Sequence, residues 1–195
     1  MNDKRYEIRL SGSGGQGIIL ASVILAEAAG VYNGNYVAQT QSYGPEARGG
    51  KCKAEVVISS TPIDYPKVTK LDLLLAMTQA ACDAYFFDFK PNGLLLVDSS
   101  LVEQIPTSRV VALPFTRIAR ETTGRELSAN MVALGAIGRL CPMVTLKNLE
   151  ISLRARIPPG TEQMNRKALQ AGANAAKAVK ISSLPRSIIP EEEEI

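Results

Sequence analysis

The strongest constraint on the fold is a glycine-rich segment near the start of the chain. Four glycines occur in the six residues from Gly12 to Gly17, after a short strand-like run at residues 6–10 and before an apolar stretch at residues 18–26. Large apolar side chains in that stretch recur at the i, i+4 spacing of a helix. This part of the chain is therefore predicted to form a strand, a tight turn and a helix.

The residues of the turn also point to a chemistry. The spacing of its glycines matches G-x-G-x-x-G, in which glycine allows a sharp turn and a close approach to the backbone. The helix that follows begins with unpaired N–H groups and a partial positive charge, so a phosphate is favoured there. The candidate cofactor-binding residues of the turn are Gly12, Gly14, Gly15, Gln16 and Gly17. The alternative is a turn that binds nothing and only brings the helix close to the sheet.

A dinucleotide site needs one more residue, which this chain does not supply. In NAD-binding folds an Asp or Glu about 20 residues further on binds the ribose hydroxyls. Here that position falls in the predicted second strand, residues 36–41, which contains no acid. The first acid beyond it is Glu46, inside a loop. The glycine turn therefore predicts the fold but argues against a NAD or FAD site.

Composition excludes several other chemistries. The chain has no histidine, which removes histidine triads, histidine general bases and histidine metal sites. Its three cysteines are far apart in sequence, and an iron–sulfur cluster needs about four ligands, so the chain alone is not expected to hold one. The net charge of +3 is too small and too dispersed for nucleic-acid binding. No apolar run reaches the ~18 residues that span a membrane, and the odd cysteine count favours a reducing cytoplasm.

The loop at residues 42–50 is the second candidate functional segment. It places a phenol, a carboxylate and a guanidinium, those of Tyr43, Glu46 and Arg48, between glycines and a proline. Loops held by a rigid sheet frequently carry functional side chains. The alternative is a solvated connection with a local Glu46–Arg48 ion pair.

Strand-like and helix-like segments alternate along much of the chain, which predicts a doubly wound α/β fold. We expect five or six mostly parallel strands, helices on both faces of the sheet and a helical C-terminal third. Residues 51–59 begin with alternating polar and apolar side chains, so they are expected to form an antiparallel edge strand. Pro91, Asn92 and Gly93 predict a turn before the next strand.

The end of the chain differs in composition from the rest. Residues 1–181 are expected to form a single α/β domain. Residues 182–195 contain two prolines and the consecutive acids Glu191–Glu194, so they are expected to form an extended acidic tail.

Several motifs together resemble a known family. They are Gly12–Ile18, Gln41–Gly50, Ile63–Pro66, Ala76–Met77 and Asn130–Ala136. In combination they resemble the gamma subunit of 2-oxoacid:ferredoxin oxidoreductases, most closely that of 2-oxoglutarate:ferredoxin oxidoreductase. The resemblance covers nearly the whole chain. Its most specific motif is the loop at 41–50, which favours the branch acting on 2-oxoglutarate or branched-chain oxoacids.

The resemblance implies a reaction and a division of labour. The whole enzyme decarboxylates a 2-oxoacid on thiamine diphosphate, passes the electrons through iron–sulfur clusters to ferredoxin, and transfers the acyl group to coenzyme A. Thiamine diphosphate, Mg and the clusters are implied to lie in the alpha, beta and, where present, delta subunits. The isolated gamma chain is expected to be inactive and to hold none of these cofactors alone.

The role implied for this chain is a wall of the active-site complex that contacts coenzyme A. The glycine turn would meet a phosphate at the helix beginning near Gln16, and Tyr43, Glu46 and Arg48 would face the coenzyme or the partner subunits. Arg48 is the best candidate for a phosphate or carboxylate, because a guanidinium can bind either with two hydrogen bonds. Two alternatives remain: a purely structural α/β scaffold subunit, and a stand-alone nucleotide-binding oxidoreductase.

Overall fold

The described part of the chain, residues 5–43 and 50–186 of a computed structural model, contains six strands and six α-helices. The strands are β1 (Arg5–Ser13), β2 (Tyr36–Tyr43), β3 (Lys51–Ser59), β4 (Leu71–Ala76), β5 (Phe89–Asp98) and β6 (Val110–Leu113). The helices are α1 (Ile18–Gly30), α2 (Gln79–Tyr85), α3 (Phe115–Thr123), α4 (Ala129–Leu140), α5 (Leu146–Arg156) and α6 (Glu162–Ala175). Short 3-10 turns lie at Glu126–Ser128 and Ile181–Ser183.

All six strands belong to one sheet, in the order β2-β3-β1-β4-β5-β6. β1, β4, β5 and β6 pair in parallel, whereas β3 is antiparallel to both of its neighbours. The predicted α/β fold with a mostly parallel sheet is thus confirmed. The expectation that residues 51–59 form an edge strand is wrong. The crossover through α1 leaves a gap between β1 and β2, and the chain returns from β2 directly into that gap as β3.

The central strands are buried on both faces, as their apolar runs predict. In β4 every residue except Asp72 is buried. The turn predicted at residues 91–93 is instead part of β5, where the pairing with β4 shifts register. The strand begins early because Phe89 pairs with Leu71, and its buried ring packs 4.9 Å from the ring of Phe86.

Helices lie on both faces of the sheet, but unequally. Buried residues of α1 and of α3 to α6 form one large core on one face, whereas α2 and the segment 60–70 lie over the other. Glu7 of β1 holds that segment, because its carboxylate accepts hydrogen bonds from the Arg5 side chain (2.6 Å) and from the backbone N–H groups of Thr69 (2.6 Å) and Lys70 (2.9 Å). Burial alone would raise the pKa of Glu7, but these donors together lower it below its ordinary value.

Helices α4 and α6 approach closely because each places a glycine at their contact. A Cβ on Gly135 would overlap the backbone carbonyl of Leu169, and a Cβ on Gly172 would overlap that of Val132. The two helix backbones therefore touch. In the described ranges no helix combines the length and the apolar character needed to cross a bilayer.

Candidate functional site at the carboxyl edge of the sheet

The glycine turn lies at the edge of the sheet where ligands of α/β proteins gather. β1 ends at Ser13 and leads into the turn, and the carboxyl ends of β4, β5 and β6 lie at the same edge because these strands are parallel to β1. In the sheet, β2 and β3 lie on one side of β1, and β4 lies on its other side. Such a reversal of strand order creates a crevice outside the carboxyl ends of the strands.

Hydrogen bonds lock the turn from within. The Gln16 side chain folds back, so that its Oε1 accepts the N–H of Ser13 at 2.8 Å, while the N–H of Gly14 donates to the Gly50 carbonyl at 3.0 Å. Gly15 and Gly17 have φ angles of 94° and 71°, which favour glycine strongly. The N–H of Gln16 also donates to the Ser13 carbonyl at 3.2 Å, so the turn is rigid and three of its backbone donors are already used.

Other donors at the turn remain available. Gly17 is the N-cap of α1 and offers no side-chain cap, and the first turn of the helix contains no acid. Within the described ranges the N–H groups of Gly15, Gly17 and Ile18 have no hydrogen-bond partner. Together with the partial positive charge of the helix N-terminus, these groups can bind an anionic oxygen.

Asn130 holds the turn from the opposite side. It lies in the first turn of α4, is only 5% exposed, and donates from Nδ2 to the Gly17 carbonyl at 3.1 Å. Sequence reasoning included Asn130 in a family motif but gave it no role. The available signal is a lone amide in a helix that is apolar apart from Arg139, and such an amide needs a hydrogen-bond partner when it is buried.

Asp98, at the carboxyl end of β5, is a structural residue. It is fully buried, and its carboxylate accepts the N–H of Ser100 at 2.9 Å, together with the N–H (2.9 Å) and the hydroxyl (2.5 Å) of Thr116. Thr116 lies in the first turn of α3, whose N-cap is Pro114 and offers no side-chain acceptor. Asp98 therefore caps this helix, and both of its oxygens are occupied.

A small cavity adjoins the glycine turn. It has a volume of about 160 Å³ and is lined by Gln16, Leu101, Thr116, Glu126, Leu127 and Ala129. Leu127 is 75% exposed and Leu101 is 43% exposed, which leaves apolar surface at its mouth. Glu126, which lines this cavity, forms an ion pair with Arg120, so the positive charge of Arg120 is partly neutralised.

The second predicted segment reaches the same edge. Tyr43 ends β2, and its backbone pairs with Cys52, which in turn pairs with Gly12 of the turn. Gly50, at the other end of the loop, accepts the hydrogen bond from Gly14. The structure thus brings both ends of the loop beside the glycine turn. Glu46 and Arg48 lie outside the described residues, so their roles stay predictions, as does the orientation of the Tyr43 side chain.

The thiols are unsuited to nucleophilic chemistry at neutral pH. Cys52, Cys82 and Cys141 are buried and free. Burial raises the pKa of Cys82 to about 11 and that of Cys141 to about 12. The described residues also contain no cluster of three or more side chains that could bind a metal ion. Among the described residues, the turn therefore offers backbone donors and no reactive thiol.

Sequence comparison places this α/β unit in a class of redox enzymes. Residues 7–175 match the pyruvate ferredoxin/flavodoxin oxidoreductase family, so the chain belongs to that family. Within it, the chain is 50% identical over 177 residues to the 2-oxoglutarate synthase subunit KorC of Methanocaldococcus jannaschii. The match covers 89% of this chain and 95% of that protein.

Two solved structures share the fold. The keto/oxoacid ferredoxin oxidoreductase gamma subunit of Geobacter sulfurreducens is 48% identical, with a TM-score of 0.82, and the match covers 90% of this chain and 98% of that one. The 2-oxoglutarate:ferredoxin oxidoreductase of Magnetococcus marinus, solved with 2-oxoglutarate, coenzyme A and succinyl-CoA bound, is 27% identical, with a TM-score of 0.80. That match covers 97% of this chain but only 34% of the other, so the unit there is part of a longer polypeptide.

Proposed function

We propose that this chain is the gamma subunit of a 2-oxoglutarate:ferredoxin oxidoreductase. The observation that carries the proposal is the 50% identity to a 2-oxoglutarate synthase subunit over nearly the full length of both chains. The assembled enzyme would convert 2-oxoglutarate and coenzyme A to succinyl-CoA and carbon dioxide, with the electrons passing to ferredoxin, or run in reverse.

The reactive chemistry would reside in partner subunits. This chain supplies no histidine and three cysteines, all of them buried, so its own residues are poorly suited to redox catalysis or to an iron–sulfur cluster. Alpha and beta subunits, with a delta subunit in some complexes, would hold thiamine diphosphate, Mg and the clusters. The three free thiols favour assembly in the reducing cytoplasm.

The proposed role of the chain itself is to bind part of coenzyme A. The N–H groups of Gly15, Gly17 and Ile18 would donate hydrogen bonds to a phosphate of the coenzyme at the N-terminus of α1. In the loop that starts at Tyr43, the side chains of Glu46 and Arg48 would contact the coenzyme or a partner subunit. Coenzyme A in the Magnetococcus marinus enzyme supports this proposal, because that protein contains the same unit.

Purification from the native host tests the assignment to this complex. A tagged copy of the chain is expected to bring down a thiamine-dependent subunit and an iron–sulfur subunit. The purified complex should reduce a one-electron acceptor dye when 2-oxoglutarate and coenzyme A are both present. Recovery of the chain alone, or a complex that oxidises pyruvate but not 2-oxoglutarate, would contradict the proposal.

Arg48→Ala tests the proposed coenzyme contact. In the assembled enzyme the KM for coenzyme A, for 2-oxoglutarate, or for both should rise by about tenfold or more, as expected when a charged hydrogen bond of about 1.5–3 kcal/mol is lost. Arg125→Ala is the matched control, because Arg125 is exposed and lies on the segment between α3 and the 3-10 turn. Unchanged values for both substrates in Arg48→Ala would refute the role of Arg48.

A further inference from the structure

The hydrogen bond from Asn130 acts on a specific peptide unit. The Gly17 carbonyl accepts two hydrogen bonds, one from the N–H of Ala21 at 3.0 Å and one from Nδ2 of Asn130 at 3.1 Å. The first is the opening bond of α1, which any helix would make. The second comes from a different helix, across the interface between α1 and α4, and it fixes how the carbonyl is turned.

Fixing this carbonyl also fixes an unpaired donor. The Gly17 carbonyl and the Ile18 N–H belong to the same peptide group, which is planar, so the two point in opposite directions. The Ile18 N–H is one of the donors that have no partner in the described ranges. By holding one end of the peptide, Asn130 therefore sets the direction in which the other end faces the carboxyl edge.

The glycine at position 17 is matched to this arrangement. Its φ of 71° is a left-handed conformation, and a Cβ at that position would overlap Nδ2 of Asn130. Asn130 is itself fixed, because its Oδ1 accepts the N–H of Met131 at 2.9 Å. The conformation of the turn and the position of the amide thus depend on each other.

Packing of the surrounding helices does not depend on this bond. Ile18 of α1 and Val132 of α4 are almost completely buried in the large core, independently of the amide. Removal of the Asn130 side chain should therefore leave both helices in place, with the Gly17 carbonyl held only by the N–H of Ala21 and the Gly17–Ile18 peptide less tightly fixed.

We propose that Asn130 is a positioning residue for coenzyme A, because it orients the Ile18 N–H towards the phosphate at the glycine turn. This inference rests on the proposed function. Asn130 acts on the coenzyme only through the Ile18 N–H that it orients, and it does not contact the coenzyme itself.

Kinetics of the assembled enzyme with Asn130→Ala test the inference. The KM for coenzyme A is expected to rise about two- to tenfold, the effect of one neutral hydrogen bond, while kcat and the KM for 2-oxoglutarate stay unchanged. Asn165→Ala is the matched control: Asn165 donates from Nδ2 to the Thr161 carbonyl at 3.1 Å, in the first turn of α6. The control should leave all three constants unchanged. A general loss of kcat, or a rise in both KM values, would overturn the inference in favour of a structural role.

Gly17→Ala and the double variant Gly17→Ala/Asn130→Ala provide the second test. Gly17→Ala alone should raise the KM for coenzyme A, because the new methyl group displaces the amide. The double variant should be no worse than Gly17→Ala, since both changes disturb one peptide; multiplied effects would overturn the inference. If Gly17→Ala raises this KM and Asn130→Ala does not, only the role of Asn130 fails. If neither change affects it, coenzyme binding at the turn fails as well.

Discussion

The packing around α4 predicts that glycine-to-alanine changes at three helix positions that look alike in the sequence will not all have the same effect. Alanine is better than glycine in a helix interior by about 1 kcal/mol. At Gly172 the added methyl group meets the backbone of Val132, which lies in the buried part of α4 and cannot move aside. Overpacking of this kind costs about 3 kcal/mol at the upper end of the usual range. The net destabilisation is therefore about 2 kcal/mol.

Gly138 on α4 provides the matched comparison. A methyl group there meets Cδ1 of Leu149, the far end of a flexible side chain, at 2.6 Å. Rotation of that side chain relieves the overlap at a cost similar to the gain of about 1 kcal/mol in helix propensity. Gly138→Ala should therefore be nearly neutral. Gly135→Ala, which meets the Leu169 backbone, should behave like Gly172→Ala.

Thermal unfolding of the purified chain, followed by circular dichroism, measures these differences. For a domain of this size 1 kcal/mol shifts Tm by about 2–4 °C, so Gly172→Ala should melt about 4–8 °C lower than the wild type. Gly138→Ala should melt within about 3 °C of the wild type. Equal Tm values for Gly172→Ala and Gly138→Ala would refute the reasoning, because they would show that the two helix backbones separate without cost.

Two further predictions concern titratable groups. The pKa of Glu7 is lower in the folded chain than in the unfolded chain, so its contribution is present above the ordinary carboxyl pKa and is lost as the pH falls through the folded value. Glu7→Gln should therefore reduce Tm at pH 7 and flatten the loss of Tm between about pH 5 and pH 3; an unchanged acid profile would show that its hydrogen bonds contribute little. The thiols of Cys82 and Cys141, with pKa values raised by burial to about 11 and about 12, should react with an aromatic disulfide reagent at pH 8 only after denaturant is added. Rapid reaction of the native chain would contradict their burial.

Local sequence patterns predicted the elements around the site well. The glycine turn and the helix after it are local features, and the predicted helical C-terminal third contains α4, α5 and α6. Which strands become neighbours in the sheet, in contrast, depends on the path that the connecting segments take across it. The position of β3 inside the sheet could therefore not be read from its alternation of side chains. The register shift in β5 was not predicted for a similar reason: it follows from the pairing of Phe89 with Leu71 in another strand.

The least predictable part of the site was the one made by contacts distant in sequence. The bond between Asn130 and Gly17 joins residues 113 positions apart, and no local pattern specifies it. The capping role of Asp98 also depends on a distant contact, because its carboxylate accepts the N–H of Thr116 in another element.

The distribution of polar groups explains why such a chain would act as one subunit among several. At the carboxyl edge the Asp98 side chain is occupied in capping, and the Gln16 and Asn130 side chains are used to lock the turn. The described donors of the turn are backbone N–H groups, which bind an anion but neither move protons nor carry electrons. The exposed Leu101 and Leu127 beside them leave apolar surface at the same edge. In the proposed complex, a site built in this way would hold a coenzyme against a reactive centre supplied by another polypeptide.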